Sequence, residues 1–262
     1  MNYGFHLSTA GVITGMRRLD TLANNLANST TVGFKGDLLN LMARKPENLE
    51  NPGAYSDTNA ALDALGGGSL FQPNAIDLSQ GSMRRTENPL DVAIEGDGFL
   101  QLESPKAANG AKSNDLLLTR AGALARDTQG RLVLATSGAP VLGTDGNPIV
   151  LSNDTSKVRI DENGSIFQGD DEIGQLAIVN PANVADLRKE GRDAIRLVGG
   201  KIKPTPGATR LHQNTLEDST VDPVVTLAEL VRVSRGIEFS TRLMQSQDQM
   251  TGRLLDTFGR FN

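Results

Sequence analysis

The period of the apolar positions changes twice along this chain. Near the N-terminus Phe5, Val12, Leu19 and Leu26 recur every seven residues, with Met16, Leu22 and Ala23 beside them. That spacing predicts an amphipathic helix with a narrow apolar stripe of the coiled-coil type. Gly4, Gly11 and Gly15 interrupt it, and each interior glycine costs roughly 1 kcal/mol relative to alanine. Such a helix is expected to be marginal alone and firm only when packed. Asn24, Asn25 and Asn28, followed by Gly33, mark its end, because Asn and Gly tolerate the left-handed backbone of a C-cap.

From Ile76 onward the period falls to two. Val92 and Ile94 alternate with other positions, and Phe99-Leu100-Gln101-Leu102 follows the bend Gly96-Asp97-Gly98. Further strands are read at 116–120, 131–135, 149–151, 158–161, 165–168, 173–179 and 194–198, with turn signals at 127–130, 145–147 and 163–164. Short strands at this spacing indicate an all-β sandwich or barrel, and Asn163-Gly164 between two of them is a strong hairpin signal. Beyond Pro223 the helical period returns. Leu230, Ile237, Met244, Thr251 and Phe258 recur every seven residues, with Val233 and Leu254 in the adjacent row. Pro223 suits a first helical position. The reading is an α+β chain: a mainly-β, short-stranded, sandwich- or barrel-like centre with N- and C-terminal helices forming a coiled coil. Its parts are an N-terminal helix and signature at 1–35, a linker or insertion at 36–75, a β-rich domain at 76–215 and a C-terminal helix at 216–262.

Composition narrows the function. Cysteine and tryptophan are absent and there are 28 glycines, so the core should be thin and aliphatic, without disulfides or thiol chemistry. A net charge of −5 and the lack of a basic, aromatic-interleaved patch argue against nucleic acid, whose phosphates require clustered Lys and Arg. No run approaches the ~20 apolar residues of a membrane span, and the first residues lack the basic and apolar regions of a secretory signal. Membrane insertion and a cleaved signal peptide are therefore not expected.

No catalytic constellation emerges. His6 and His212 stand near opposite ends. Asp161-Glu162 and Asp170-Asp171-Glu172 supply the paired carboxylates that glycoside hydrolysis needs, but they coincide with turn signals and read more simply as solvated hairpin tips. Asp161-Glu162-Asn163-Gly164 begins like a calcium loop without its later oxygen ligands. Gly96-Asp97-Gly98 lacks the third glycine and following helix of a dinucleotide site. No cofactor, metal or small-molecule substrate is expected.

Two stretches carry a resemblance. Leu22-Ala23-Asn24-Asn25-Leu26-Ala27-Asn28-Ser29-Thr30-Thr31-Val32-Gly33-Phe34-Lys35 resembles the N-terminal signature of the bacterial flagellar rod and hook proteins. Asn88-Pro89-Leu90-Asp91-Val92-Ala93-Ile94-Glu95-Gly96-Asp97-Gly98-Phe99 is similar to the stretch that opens the β-domain in the same family. Thr119-Arg120-Ala121-Gly122, Val141-Leu142-Gly143, Leu216-Glu217 and Ser246-Gln247-Asp248-Gln249-Met250 fit its continuation. The resemblance implies terminal helices joined in a coiled coil, a β-domain outside them, and helical polymerisation into an axial tube. It also implies export by the flagellar type III apparatus and residence in the periplasm-spanning basal body. Ser234-Arg235-Gly236-Ile237-Glu238 and Lys35-Gly36-Asp37-Leu38-Leu39-Asn40 lean toward the proximal rod type over the distal rod or hook type.

On this reading the chain is a non-enzymatic rod subunit that transmits torque, and its partners are copies of itself, other rod and hook subunits and the export apparatus. Its assembly interface is expected at Phe5, Val12, Leu19, Leu26, Asn24, Asn25, Asn28, Leu230, Ile237, Met244 and Phe258. These heptad faces are expected to be buried between subunits and left unpaired in a free one. A phage-tail or adhesin fibre would share the periodicity without the Asn-rich signature. A carbohydrate-active enzyme would depend on Asp161, Asp170 and Asp171.

Overall fold

The computed structural model describes residues 3–45, 68–104, 115–152, 157–203 and 209–259. Among them strands predominate, and long helices occur only near the ends, at Tyr3–Ala27 and Pro223–Gly259. Neither is long and apolar enough to cross a membrane. The chain divides into two compact units. One comprises Met1–Ala27, Asp37–Ala75 and Pro223–Asn262; the other comprises Asn28–Gly36 and Ile76–Asp222.

In the first unit the C-terminal helix begins at the expected Pro223, where a missing N–H costs nothing. Its 37 residues make it roughly 55 Å long. The two helices pack against each other in antiparallel sense. Gly4 lies opposite Gln247, Gly11 opposite Ser240 and Gly15 opposite Ile237, and Arg18 pairs with Glu229. The partner of each glycine recedes along one helix as the other advances. This accounts for the glycines that weaken the N-terminal helix: a Cβ at position 15 would stand 2.5 Å from Ile237 Cγ1. Close approach between the helices offsets the lost propensity. An antiparallel pairing of Leu41–Ala43 with Ser69–Phe71 belongs to the same unit. The Thr14 and Ser69 hydroxyls meet at 2.7 Å, and the Arg17 guanidinium lies 5.4 Å from the Phe71 ring centre.

The second unit is built on a six-stranded antiparallel sheet. Its order is Leu187–Glu190, Ala194–Leu197, Leu116–Thr119, Phe99–Leu102, Ile178–Pro181, Ile202–Lys203. Both faces of this sheet are covered. Leu100, Leu102, Leu117 and Ala194 point into one apolar cluster with Ile94, Leu132, Leu134, Val141, Ile166 and Leu211. Their alternates Phe99, Leu118, Ile195 and Leu197 point into a second with Val179 and Leu187. Burial on both faces makes these strands read as apolar runs, Phe99–Leu102 and Leu116–Leu118, rather than as apolar and polar alternation. The core is aliphatic, as the composition implied.

The described strands do not close into a barrel: the remaining ladders are small sheets of two or three strands. They stay small because the chain changes partner often. The strand read at 173–179 is two strands, Asp171–Gln175 paired with Ser165–Gln168, and Ile178–Pro181 paired with Phe99–Leu102. The stretch at 149–151 forms only isolated bridges.

Candidate functional site

Two features stand out, one in each unit. The first is the surface of the helix pair. Along the C-terminal helix the less exposed positions include Leu230, Val233, Ile237, Ser240, Met244 and Gln247, a three-four spacing that is the heptad stripe itself. That stripe is turned toward the N-terminal helix of the same chain, with Ile237 seated against Gly15. Val12, Leu19 and Leu26 are likewise half-buried. Within the chain the antiparallel arrangement brings Gly4, Gly11 and Gly15 opposite residues of the stripe, while Phe5 of the N-terminal stripe stays exposed. A second apolar set is also exposed: Ile13 and Met16 on the N-terminal helix, and Val225, Phe239, Leu243 and Met250 on the other. Phe239 is 64% exposed. Phe258 lies outside the described side chains.

The Asn residues separate. Asn24 is exposed. Asn25 is buried, and its amide makes two bonds to one backbone residue: Nδ2 donates to the Asp37 carbonyl at 2.9 Å, and the Asp37 N–H donates to Oδ1 at 2.8 Å. This amide imitates a strand partner and pins the chain where it leaves the helix region. Its bonds run to Asp37 rather than to the last turn of the helix. Asn28, in the β-rich unit, is also buried; its Oδ1 accepts from Thr31 Oγ1 at 3.3 Å and from Arg192 Nε at 3.4 Å. Replacing Asn25 by Leu removes both bonds to Asp37 and is expected to destabilise the helical unit by about 2 kcal/mol, since net hydrogen bonds are worth about 1 kcal/mol each. A urea midpoint unchanged from the parent chain would show that the amide pair is replaced by water at no cost.

The second feature is a buried ion cluster that sequence reasoning did not select. Glu217 is fully buried. Its Oε1 accepts from Lys35 Nζ at 2.6 Å and from the Gly81 N–H at 2.8 Å. Its Oε2 accepts from Arg120 Nη1 at 3.4 Å, and its backbone carbonyl accepts from the Gly33 N–H at 2.7 Å. Lys35 also donates to the Ser79 carbonyl at 2.6 Å. Arg120 donates to the Gly96 carbonyl at 2.7 Å and lies 5.1 Å from the Phe99 ring centre. Gly33 has φ of 66°, a left-handed geometry that favours glycine, and a Cβ there would overlap the Arg120–Ala121 backbone. At Gly122 a Cβ would overlap the Val92 carbonyl oxygen. The motifs around 33–35, 94–99, 119–122 and 216–217 thus meet at one point. The signal was present in the sequence: each motif carries a charged residue amid apolar or glycine neighbours, but nothing local says that these charges belong together.

Burial pushes the Lys35 ammonium below its ordinary value of 10.5, against the opposing pull of Glu217. Between the lowered folded value and 10.5 the unfolded chain therefore binds more protons than the folded one, and stability rises with pH across that window. The contribution is least favourable below both values. Relative to a Lys35→Met variant, the parent chain is expected to gain stability as pH is raised from neutral toward 10.5. Urea unfolding of both proteins at the two limits measures it; a gap that moves the other way would mean that the cluster holds the ammonium more firmly than water does.

The acidic residues do not form a catalytic pair. Asp161 lies in the turn before strand Ser165–Gln168, and Asp170 and Asp171 lie after it. A four-residue strand separates the two groups by roughly 13 Å, beyond the ~5–9.5 Å of glycosidase carboxylates. Asp161 also pairs with Arg159 at 3.4 Å. His212 instead meets Glu95 at 2.6 Å.

Comparison with known proteins places these features in context. Three family models match the chain: "Flagella basal body rod protein" at residues 11–35, "Flagellar hook protein FlgE/F/G D1 domain" at 93–168, and "Flagellar basal body rod FlgEFG protein C-terminal" at 212–257. The flagellar basal-body rod protein FlgF of Caulobacter vibrioides is 26% identical over 262 residues, the whole of both chains. The protein of the same name from Mesorhizobium japonicum is 28% identical over 247 residues, covering 93% of this chain and 92% of its own. The flagellar basal-body rod protein FlgG of Agrobacterium fabrum is 28% identical over 262 residues, covering 93% and 95%.

Proposed function

We infer that this chain is a flagellar basal-body rod protein, a structural subunit of the rod. Its work is mechanical rather than catalytic. The helix pair is a short antiparallel coiled coil, and its outer apolar face meets copies of this chain and other rod or hook subunits. Torque passes through those contacts from motor to hook. The β-rich unit supplies lateral contacts. The proximal position is favoured over the distal on the 234–238 and 35–40 stretches, while relatives named FlgF and FlgG both match along nearly the full chain. The chain reaches the periplasm-spanning basal body through the flagellar export apparatus without a cleaved signal peptide.

The observation that carries this reading is the row of large apolar side chains, Val225, Phe239, Leu243 and Met250, left outside a helix pair whose heptad stripe is already engaged. Apolar surface of this kind marks an interaction site. The test is electron microscopy of basal bodies purified from a strain carrying an epitope-tagged copy. The tag is expected on the rod, at its inner-membrane end for a proximal subunit. A strain deleted for the gene that still builds complete rods and swims would overturn the proposal.

A further inference from the structure

The Lys35, Arg120 and Glu217 cluster contains two cations and one carboxylate, all buried. Its members come from far apart in the chain: 182 residues separate Lys35 from Glu217, and 97 separate Arg120 from Glu217. Glu217 is the last to be made and the only anion in direct contact with either cation among the described residues. Without it the site would seal two like charges away from water, which is strongly unfavourable. The cluster is not tuned for stability alone, since Arg120 Nε is buried with no hydrogen-bond partner. The segment that carries Glu217 is also structural. Arg210–Gln213 is the strand paired with Val92–Glu95, and Thr215–Glu217 is paired with Met83–Arg85.

We infer that Glu217 is a closing switch for the β-rich unit: the unit stays open, with its core wet, until its final segment arrives and neutralises Lys35 and Arg120. Strand 132–134 and its partner 124–126 are present long before that point, yet the unit cannot dehydrate around two unpaired cations. Folding is thereby made conditional on a contact of very high sequence separation, which is slow to form. Buried ion triads elsewhere can be exchanged for apolar residues without loss of the fold, so the brake should be separable from the structure.

The experiment is refolding of the full chain from urea with pulsed hydrogen exchange. The Gly33 and Gly81 amides donate to Glu217, and the Asp218 amide donates to the Ser82 carbonyl, so these three report the switch. The Leu132, Leu134 and Val141 amides report the remote core. In the parent chain both groups are expected to gain protection in one phase. The triple variant Lys35→Met, Arg120→Leu, Glu217→Leu is expected to refold at least about tenfold faster, with the core amides now protected ahead of the Asp218 amide. If core amides of the parent chain are protected in an earlier phase than Gly33, Gly81 and Asp218, the switch does not exist. That measurement needs no variant and decides the matter even where the triple variant fails to fold. A triple variant that folds at the parental rate overturns the inference equally.

Discussion

Glu217→Ala is expected to cost the β-rich unit about 3–5 kcal/mol, the usual penalty for removing one partner of a buried ion pair. Whole-protein stabilities are only about 5–15 kcal/mol, so the variant should lie close to unfolding at 25 °C. The loss has several parts. Lys35 and Arg120 are left as buried cations, the Gly81 N–H loses its acceptor, and a void replaces the carboxylate among Gly33, Lys35 and Arg120. Glu217→Gln keeps an acceptor for Gly81 and should cost less. Urea denaturation followed by far-ultraviolet circular dichroism gives both numbers. A cost below about 1 kcal/mol for Glu217→Ala, the range of exposed pairs, would mean that water reaches the cluster.

Ile237→Asp is expected to abolish rod assembly and swimming while leaving the β-rich unit folded. Ile237 is half-buried across from Gly15. Burying a carboxylate in place of this apolar side chain costs several kcal/mol when it is not paired. The N-terminal helix has 25 residues and several glycines, so it gains little from propensity and depends on that packing. Circular dichroism should show a loss of helical signal with the strand signal retained. The converse change tests the same contact. Gly15→Leu should push the helices apart, and pairing it with Ile237→Ala should recover part of the helical signal. If Ile237→Asp cells swim normally, the helix pair is not what holds the subunit in the shaft.

The residue order alone settled what is local. Helix limits followed from seven-residue recurrence and from Pro223 as a starter, because helical periodicity is decided within a few residues; the Asn residues near residue 27 do not take the left-handed backbone expected of a cap. The aliphatic core was legible in composition, as was the resemblance to flagellar rod proteins in the 22–35 and 88–99 motifs; the burial of both sheet faces was not. The strand at 173–179 was misread as one piece because nothing within it states that its two halves pair with different ladders.

Tertiary structure alone decided which groups meet. The heptad stripe could have faced another copy or its own chain; the antiparallel fit of Gly4, Gly11 and Gly15 against Gln247, Ser240 and Ile237 turned it inward. That left Phe239, Leu243 and Met250 as the exposed face. Asn25 read as a cap or a register device, and the fold gives its amide two bonds to Asp37. Lys35, Arg120 and Glu217 each read as an ordinary charge, and only the fold put them in one dry site. The physical reason is the same in each case. A periodic pattern specifies a face, but its partner is chosen through space, by steric fit and by the cost of leaving charge without a counter-charge, and neither is written in the spacing of neighbouring residues.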